Sequence, residues 1–321
     1  MPAPPSVSVV IPAFNAASVI AETLESVRAQ TFRDFEAIIV DDGSTDDTAA
    51  IVSRFCEADP RFSLAQQPNS DVSAARNNAI RRSQAGWIAF LDADDVWLPQ
   101  KLERQVELSR ADPRANFLFT NLYFWDGQRD LYPTFRAGQP LPEGDIARGL
   151  IEHDAYGLST VMVRREALFA VNLFDTAVSH CEDWDLWLRL GDHGLWARGI
   201  REPLVRYRRW PGSRMQGLLK IADGNVQIME RNLHATRHPE FRPLYRRALA
   251  RALAEREVIR ARPLVETDPA AVPPLIWRAW RHERRLKWLR WYLRLVWPKF
   301  LGGNRTAQFV HRKILERTKY Q

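Results

Sequence analysis

Residues 87–95 read Trp87-Ile88-Ala89-Phe90-Leu91-Asp92-Ala93-Asp94-Asp95. Five apolar residues run directly into a carboxylate cluster, the pattern of a strand buried on both faces whose carboxyl end opens on solvent. The same pattern occurs twice nearer the amino terminus. Val7-Ser8-Val9-Val10-Ile11 meets Pro12, then Ala13-Phe14-Asn15, and Glu36-Ala37-Ile38-Ile39-Val40 stops at Asp41-Asp42-Gly43-Ser44. Between these runs, residues 16–30 place Val19, Ile20, Leu24 and Val27 on one side of a helix. Thr45 is expected to cap the next helix, with Asp46 and Asp47 suiting the positive end of its dipole. Residues 62–65 read as a weaker strand, residues 72–83 as a helix, and Pro99 as the opening of another.

Strand and helix alternating at this spacing predict an α/β fold with a mostly parallel central sheet, flanking helices and right-handed crossovers. Ligands of such sheets bind beyond the carboxyl ends of the strands. Three strands deliver polar clusters there: Pro12 with Asn15, Asp41-Asp42, and Asp92-Ala93-Asp94. No glycine-rich phosphate loop follows the first strand, which disfavours a dinucleotide-binding protein or a P-loop ATPase.

The chain of 321 residues is 45% hydrophobic and 26% charged, the composition of a folded soluble protein. Cys56 and Cys181 are too few for a disulfide framework or a thiolate zinc site, and no His-Glu-x-x-His zinc motif occurs. The first charged residue is Glu22, but the uncharged run before it holds Pro2, Pro4, Pro5 and Pro12 and has no basic start. Neither a spanning helix nor a signal peptide is expected, and the expected location is cytoplasmic.

Further along, residues 117–120, 160–163 and 204–207 read as short strands, and residues 183–190 as a strong helix carrying Trp184 and Trp187. Beyond Gly217 the chain turns Arg/Ala/Leu-rich and helical, broken at Pro263 and Pro273-Pro274. The expected organisation is a catalytic domain over residues 1–215 and a helical, basic, Trp-rich region over residues 216–321.

Asp92 and Asp94, one residue apart at a strand end, can share one divalent cation, and Mg²⁺ or Mn²⁺ suits such hard oxygen ligands beside a substrate phosphate. Alone, the pair reads equally as a solvated acidic turn before the next helix.

Six motifs in order then carry a resemblance. They are residues 8–15, 26–32 (Ser26-Val27-Arg28-Ala29-Gln30-Thr31-Phe32), 40–48, 73–77 (Ser73-Ala74-Ala75-Arg76-Asn77), 89–95, and 182–187 (Glu182-Asp183-Trp184-Asp185-Leu186-Trp187). Over about residues 6 to 213 the chain resembles the family-2 inverting glycosyltransferases, of GT-A fold. The resemblance implies that Pro12, Ala13, Asn15 and Asp42 hold the base and ribose of a nucleotide-sugar, most readily a UDP-sugar. It places Arg76 and Ala93 near the nucleotide, Asp92 at the ribose or metal, and Asp94 on the metal. Asp183 matches the family's catalytic base, and Glu182 takes that role if the register differs.

In such a reaction a carboxylate facing the anomeric carbon takes the acceptor's proton while the nucleoside diphosphate departs opposite. Two departures stand out: Ser70-Asp71 where the family usually has glycines, and Trp210 where a histidine follows Tyr207-Arg208-Arg209. Arg208 or Arg209 is expected to serve in the histidine's stead. The Gln-x-x-Arg-Trp signature of processive synthases is absent, so a single addition to a glycan or lipid-linked acceptor is expected. A nucleotide-sugar- or glycan-binding protein without activity is the alternative.

Residues 275–300 carry eight Lys/Arg against one acid, Glu283, which is the whole net charge of +7. Five tryptophans share this segment, and residues 286–296 separate into a Trp/Leu face and a basic face. Two readings stand: an amphipathic helix on an anionic membrane surface, or a helix packed on its own catalytic domain. The chain carries no nucleic-acid recognition motif, and no nucleic-acid partner is expected.

Overall fold

The computed structural model describes residues 4–153, 156–209 and 213–283. The chain divides into two compact units, Met1–Ser213 and Arg214–Gln321. The first unit begins with β1 (Val7–Ala13), α1 (Ile20–Arg28), β2 (Phe35–Asp41), α2 (Thr48–Ala58), β3 (Phe62–Gln66), α3 (Val72–Arg82) and β4 (Trp87–Phe90). It continues with β5 (Val96–Trp97), α4 (Lys101–Ala111), β6 (Phe117–Trp125), β7 (Asp130–Pro133), β8 (Gly144–Asp145) and α5 (Ala147–Glu152). β9 (Met162–Arg164), α6 (Arg165–Ala170), α7 (Glu182–Gly191) and β10 (Trp196–Arg208) complete it.

The sheet runs β3-β2-β1-β4-β9-β6-β10-β5, with β7 on β6 and β8 on β10. β3, β2, β1 and β4 are mutually parallel, as the alternating sequence predicted. β9 then enters antiparallel to both β4 and β6. Two reversals cancel, so β6 and its parallel neighbour β10 point the same way as β4. The carboxyl ends of β1, β2, β4, β6 and β10 therefore open on one edge.

β1 is buried along its whole length, as a strand covered on both faces requires. Pro12 is tolerated in it because of where β4 ends. The Val10 carbonyl accepts from Leu91 N on the β4 side, and by alternation Pro12 faces that side beyond Phe90, where its missing N–H forfeits no ladder bond.

Two local expectations are corrected. Thr45 does not cap α2, which begins at Thr48; the Thr45 N–H and hydroxyl instead donate to Asn15 Oδ1. The Thr48 N–H is taken by Asp46 Oδ1, so the Asp46 turn competes successfully for the role. Pro99 precedes α4 without entering it, because the helix starts at Lys101.

The second unit holds α8 (Ser213–Ala235), α9 (Arg242–Thr267) and α10 (Val272–His282). α10 buries Val272, Leu275, Ile276 and Ala279 against Ala254, Val258 and Ala261 of α9. Among the described residues no helix is long and apolar enough to cross a membrane. The amphipathic segment expected over residues 286–296 lies outside the described residues.

Lys101 is a buried group the sequence did not flag. Its side chain is fully buried in α4, with Nζ 3.7 Å from the Trp97 ring centroid and no hydrogen-bond partner among the described residues. Burial pushes its ammonium well below the ordinary lysine range. The unfolded chain thus binds the proton more readily, and stability rises with pH up to the unfolded lysine value, about 10.4. Lys101→Met is expected to raise unfolding free energy by about 1–2 kcal/mol at pH 7, with the gain shrinking toward pH 10. Urea titrations at the two pH values check this; a destabilised variant at pH 7 would mean the Trp97 face holds a charged lysine.

Candidate active site

The loops after β1, β2 and β3 are tied to one another before any ligand arrives. Asn15, with φ of 47°, accepts from Thr45 through its side-chain carbonyl, and its N–H donates to the Ser44 hydroxyl at 2.9 Å. Asp42 is buried, its N–H bonded to the Ala13 carbonyl. Its carboxylate accepts from Gln67 Nε2 (2.7 Å), Ser70 N (3.0 Å) and Asp71 N (3.1 Å). Pro12, Ala13, Asn15 and Asp42 are thus assembled at the ends of β1 and β2. Asp71 explains the glycines the resemblance led one to expect: its φ is 89°, a region glycine enters freely. The aspartate recovers part of that cost by capping α3, its Oδ1 accepting from Ser73 N at 3.0 Å.

Arg76, on α3, connects the rest. Its side chain is almost wholly buried and bridges Asp92 (Nη2 to Oδ1, 2.8 Å) and Glu182 (Nη1 to Oε1, 2.6 Å). Burial disfavours its charge, but the Asp92 and Glu182 carboxylates outweigh it and hold the guanidinium protonated. The loop after β4 is therefore joined to the start of α7, residues the chain separates by 90 positions.

Asp92, Ala93 and Asp94 are each fixed through the backbone as well. Asp92 N donates to the Ser159 hydroxyl, the Thr23 hydroxyl donates to the Ala93 carbonyl, and Arg208 Nε donates to the Asp94 carbonyl. Arg208 also pairs with Glu22 and stacks on Trp125. Arg209 donates to the Tyr132 hydroxyl. Trp210 lies outside the described residues.

Sequence reading missed Asp95. It is buried, accepting from the Ser159 hydroxyl and from Arg208 N at 2.9 Å. Burial and the charges of Asp92 and Asp94 push its carboxyl well above the usual range. Only its position beside Asp94 hinted at this.

Glu182 and Asp183 form the first turn of α7, where the helix dipole favours anions. Asp183 Oδ1 accepts from Trp184 N at 2.8 Å. Cys181, just before them, has a left-handed φ of 61°, strain of the kind concentrated at functional sites. Tyr207, on β10, reports the convergence. Burial of its hydroxyl comes first, and the charges of Asp95, Asp92, Asp94 and Asp183 add to it, pushing the phenol well above the tyrosine range.

A divalent cation suits this donor set, since Asp92 and Asp94 offer hard oxygens in a field that raises neighbouring proton affinities. Among the described residues no three His, Cys, Asp or Glu are grouped to hold an ion by themselves. The remaining ligands would come from substrate oxygens.

The model of the family described as "Glycosyl transferase family 2" matches residues 8–169, half of the chain. The chain belongs to glycosyl transferase family 2. TuaG of Bacillus subtilis (strain 168), provisionally named a teichuronic acid biosynthesis glycosyltransferase, is 36% identical over 207 residues, 64% of this chain and 79% of the relative. The Escherichia coli UDP-Glc:alpha-D-GlcNAc-diphosphoundecaprenol beta-1,3-glucosyltransferase WfgD is 30% identical over 57% of this chain and 69% of its own length. An uncharacterized glycosyltransferase of Rickettsia bellii (strain RML369-C) is 29% identical over 80% of this chain, a match spanning only 36% of the relative.

Two solved structures share the fold of this family-2 chain. S. aureus TarS 1-349 in complex with UDP-GlcNAc superposes with a TM-score of 0.65 at 18% identity, over 91% of this chain and 81% of that one. Mannosyltransferase PcManGT from Pyrobaculum calidifontis, in complex with GDP-Man and Mn²⁺, gives 0.60 at 20% identity, over 97% and 84%. The likeness agrees with the GT-A fold expected from sequence.

Removing the Arg76 guanidinium leaves Asp92 and Glu182 without their cation. Arg76→Gln is expected to destabilise the protein by about 3 kcal/mol, read as a lowered urea midpoint with unchanged slope. A midpoint within error of the parent would show that the bridge contributes nothing net.

Proposed function

We propose that the chain is an inverting glycosyltransferase moving one sugar from a nucleoside-diphosphate sugar, a UDP-sugar in this reading, to a hydroxyl of a glycan or lipid-linked acceptor. The observation that carries the proposal is the bridge from buried Arg76 to Asp92 and to Glu182, the neighbour of Asp183, which joins the loop bearing Asp92 and Asp94 to the start of α7. Asp94 and Asp92 would hold Mn²⁺ or Mg²⁺, which as a Lewis acid neutralises charge on a departing diphosphate. Asp183 is the base. It takes the proton of the acceptor hydroxyl as the new bond to the anomeric carbon forms and the bond to the diphosphate breaks. Glu182 is committed to Arg76, which favours Asp183 of the two. The loops holding Asn15 and Asp42 receive the base and ribose, and Arg76 orients Asp92.

The nucleotide is identified by calorimetry with UDP, GDP and dTDP, with and without Mn²⁺. Metal-dependent binding of one nucleotide, lost in Asp94→Ala, is the expected result; no binding of any of the three to folded protein counts against the reading. Asp183→Asn should bind nucleotide as the parent does, yet transfer sugar about 10³-fold more slowly to a short-chain α-GlcNAc-diphospholipid. Undiminished transfer would place the base elsewhere.

The second part of the proposal is peripheral attachment at the cytoplasmic face of a membrane, where a lipid-linked acceptor is presented. WfgD, by its name, uses such an acceptor. In the second unit, Trp277 is 58% exposed and stacked on Trp280 at 4.8 Å, with Arg278 and Arg281 beside them on α10. Full-length protein is expected to float with anionic vesicles, to ignore neutral ones, and to dissociate as salt rises. Protein left at the bottom of the anionic gradient removes this part.

A further inference from the structure

A row of aromatic side chains lies beside the carboxylates, and the mechanism above makes no use of it. β7, β6 and β10 are neighbours, and their register sets Tyr132 opposite Phe124 and Phe124 opposite Tyr207. The rings follow that register: the Phe124 and Tyr132 centroids are 4.9 Å apart, and those of Phe124 and Tyr207 are 5.8 Å apart at 81°. Phe124 is half-buried against the core. Tyr132 and Tyr207 are among the few large side chains with apolar surface left open, at 43% and 39%. Arg209 steadies the outer ring, donating to the Tyr132 hydroxyl at 2.6 Å, its guanidinium 5.4 Å from the Phe124 centroid.

The position of the row selects its occupant. The nucleotide-side loops follow β1 and β2, on one side of β4, whereas β6 and β10 lie on the other side with β9 between. The chain after β4 crosses to β5, which pairs with β10, and Arg208 beside Tyr207 donates through N to Asp95 and through Nε to the Asp94 carbonyl, so the β10 end of the row adjoins the carboxylate loop. Tyr207 belongs to both regions, since its ring ends the row and its neighbour Arg208 is bonded to Asp94 and Asp95. Two open aromatic faces beside carboxylates and an arginine form an amphipathic surface. A pyranose matches it, with a C–H face that carries partial positive charge toward the negative π-cloud and a rim of hydroxyls for the polar groups.

We infer that Tyr132, Phe124 and Tyr207 form the platform for the acceptor's sugar ring, stacking its C–H face and turning one hydroxyl toward Asp183. The inference rests on the glycosyl-transfer reading and deepens it by giving the acceptor a carbohydrate ring at the reacting end.

Saturation-transfer NMR on the full chain with UDP and Mn²⁺ tests it, using the methyl glycosides of GlcNAc, glucose, galactose, mannose and rhamnose as probes. At least one probe should receive saturation from the protein's aromatic protons, strongest on one C–H face. Tyr132→Ala and Tyr207→Ala should each weaken that binding about fivefold while the UDP Kd stays unchanged, and Tyr207→Phe should retain it because the ring remains. Tyr132 stands at the exposed end of the row, so its variant keeps the test decisive where Tyr207→Ala fails to fold. Silence from all five probes, or a signal surviving both alanine variants, overturns the platform. Failure of the folded parent to bind UDP, GDP or dTDP overturns the transferase reading instead, so the two failures are told apart.

Discussion

The buried Arg76 guanidinium is the constraint on which the site depends. Asp92, Asp94, Asp95, Glu182 and Asp183 are gathered at one edge of the sheet, and like charges so concentrated repel. Two arginines offset this from different directions. Arg76 engages the side chains of Asp92 and Glu182, and Arg208 engages the loop through the Asp94 carbonyl and Glu22. The arrangement fixes the loop while leaving a residual negative field, visible in the raised proton affinity of Asp95 and Tyr207. Such a field suits a cation brought in with a diphosphate better than it suits a free anion.

A second hub shapes the nucleotide side. Asp42 spends three acceptor positions on Gln67, Ser70 and Asp71, and a carboxylate has about four. About one position remains open, so most of the energetic role of Asp42 is to hold the loop before α3 in shape. Asn15 follows the same logic, its carbonyl oxygen serving Thr45 and its amide N–H₂ facing other duties.

Much of this was legible because burial on both faces writes a plain signal. β1, β2 and β4 are continuous apolar runs, and each ends on the polar residues that form the site. Long-range pairing left no such mark. Nothing near Arg76 announces Glu182, 106 positions away, and β9 is three residues whose antiparallel insertion depends on its neighbours. β10 runs from Trp196 to Arg208, much longer than the apolar stretch at residues 204–207, because an irregular ladder with β6 carries it through Pro203. Lys101 reads as an ordinary surface lysine at a helix start; only the packing of Trp97 over it makes it a core residue. Thr45 does not cap because it is bonded to Asn15, while the first amide of α2 is taken by the Asp46 turn.

The antiparallel β9 is also what makes one edge serve two substrates. A single reversal beside β4 would have sent the next strand's carboxyl end to the opposite side, away from Asp92 and Asp94. The second reversal, at β6, restores the direction, and β10 follows it in parallel. The polar loops then stand on the β1–β2 side, while the chain after β4 crosses to β5 on β10, where Asp94 and Asp95 meet Arg208 beside the aromatic row. In the transfer proposed above, β10 would thus hold the acceptor ring within reach of the carboxylate loop.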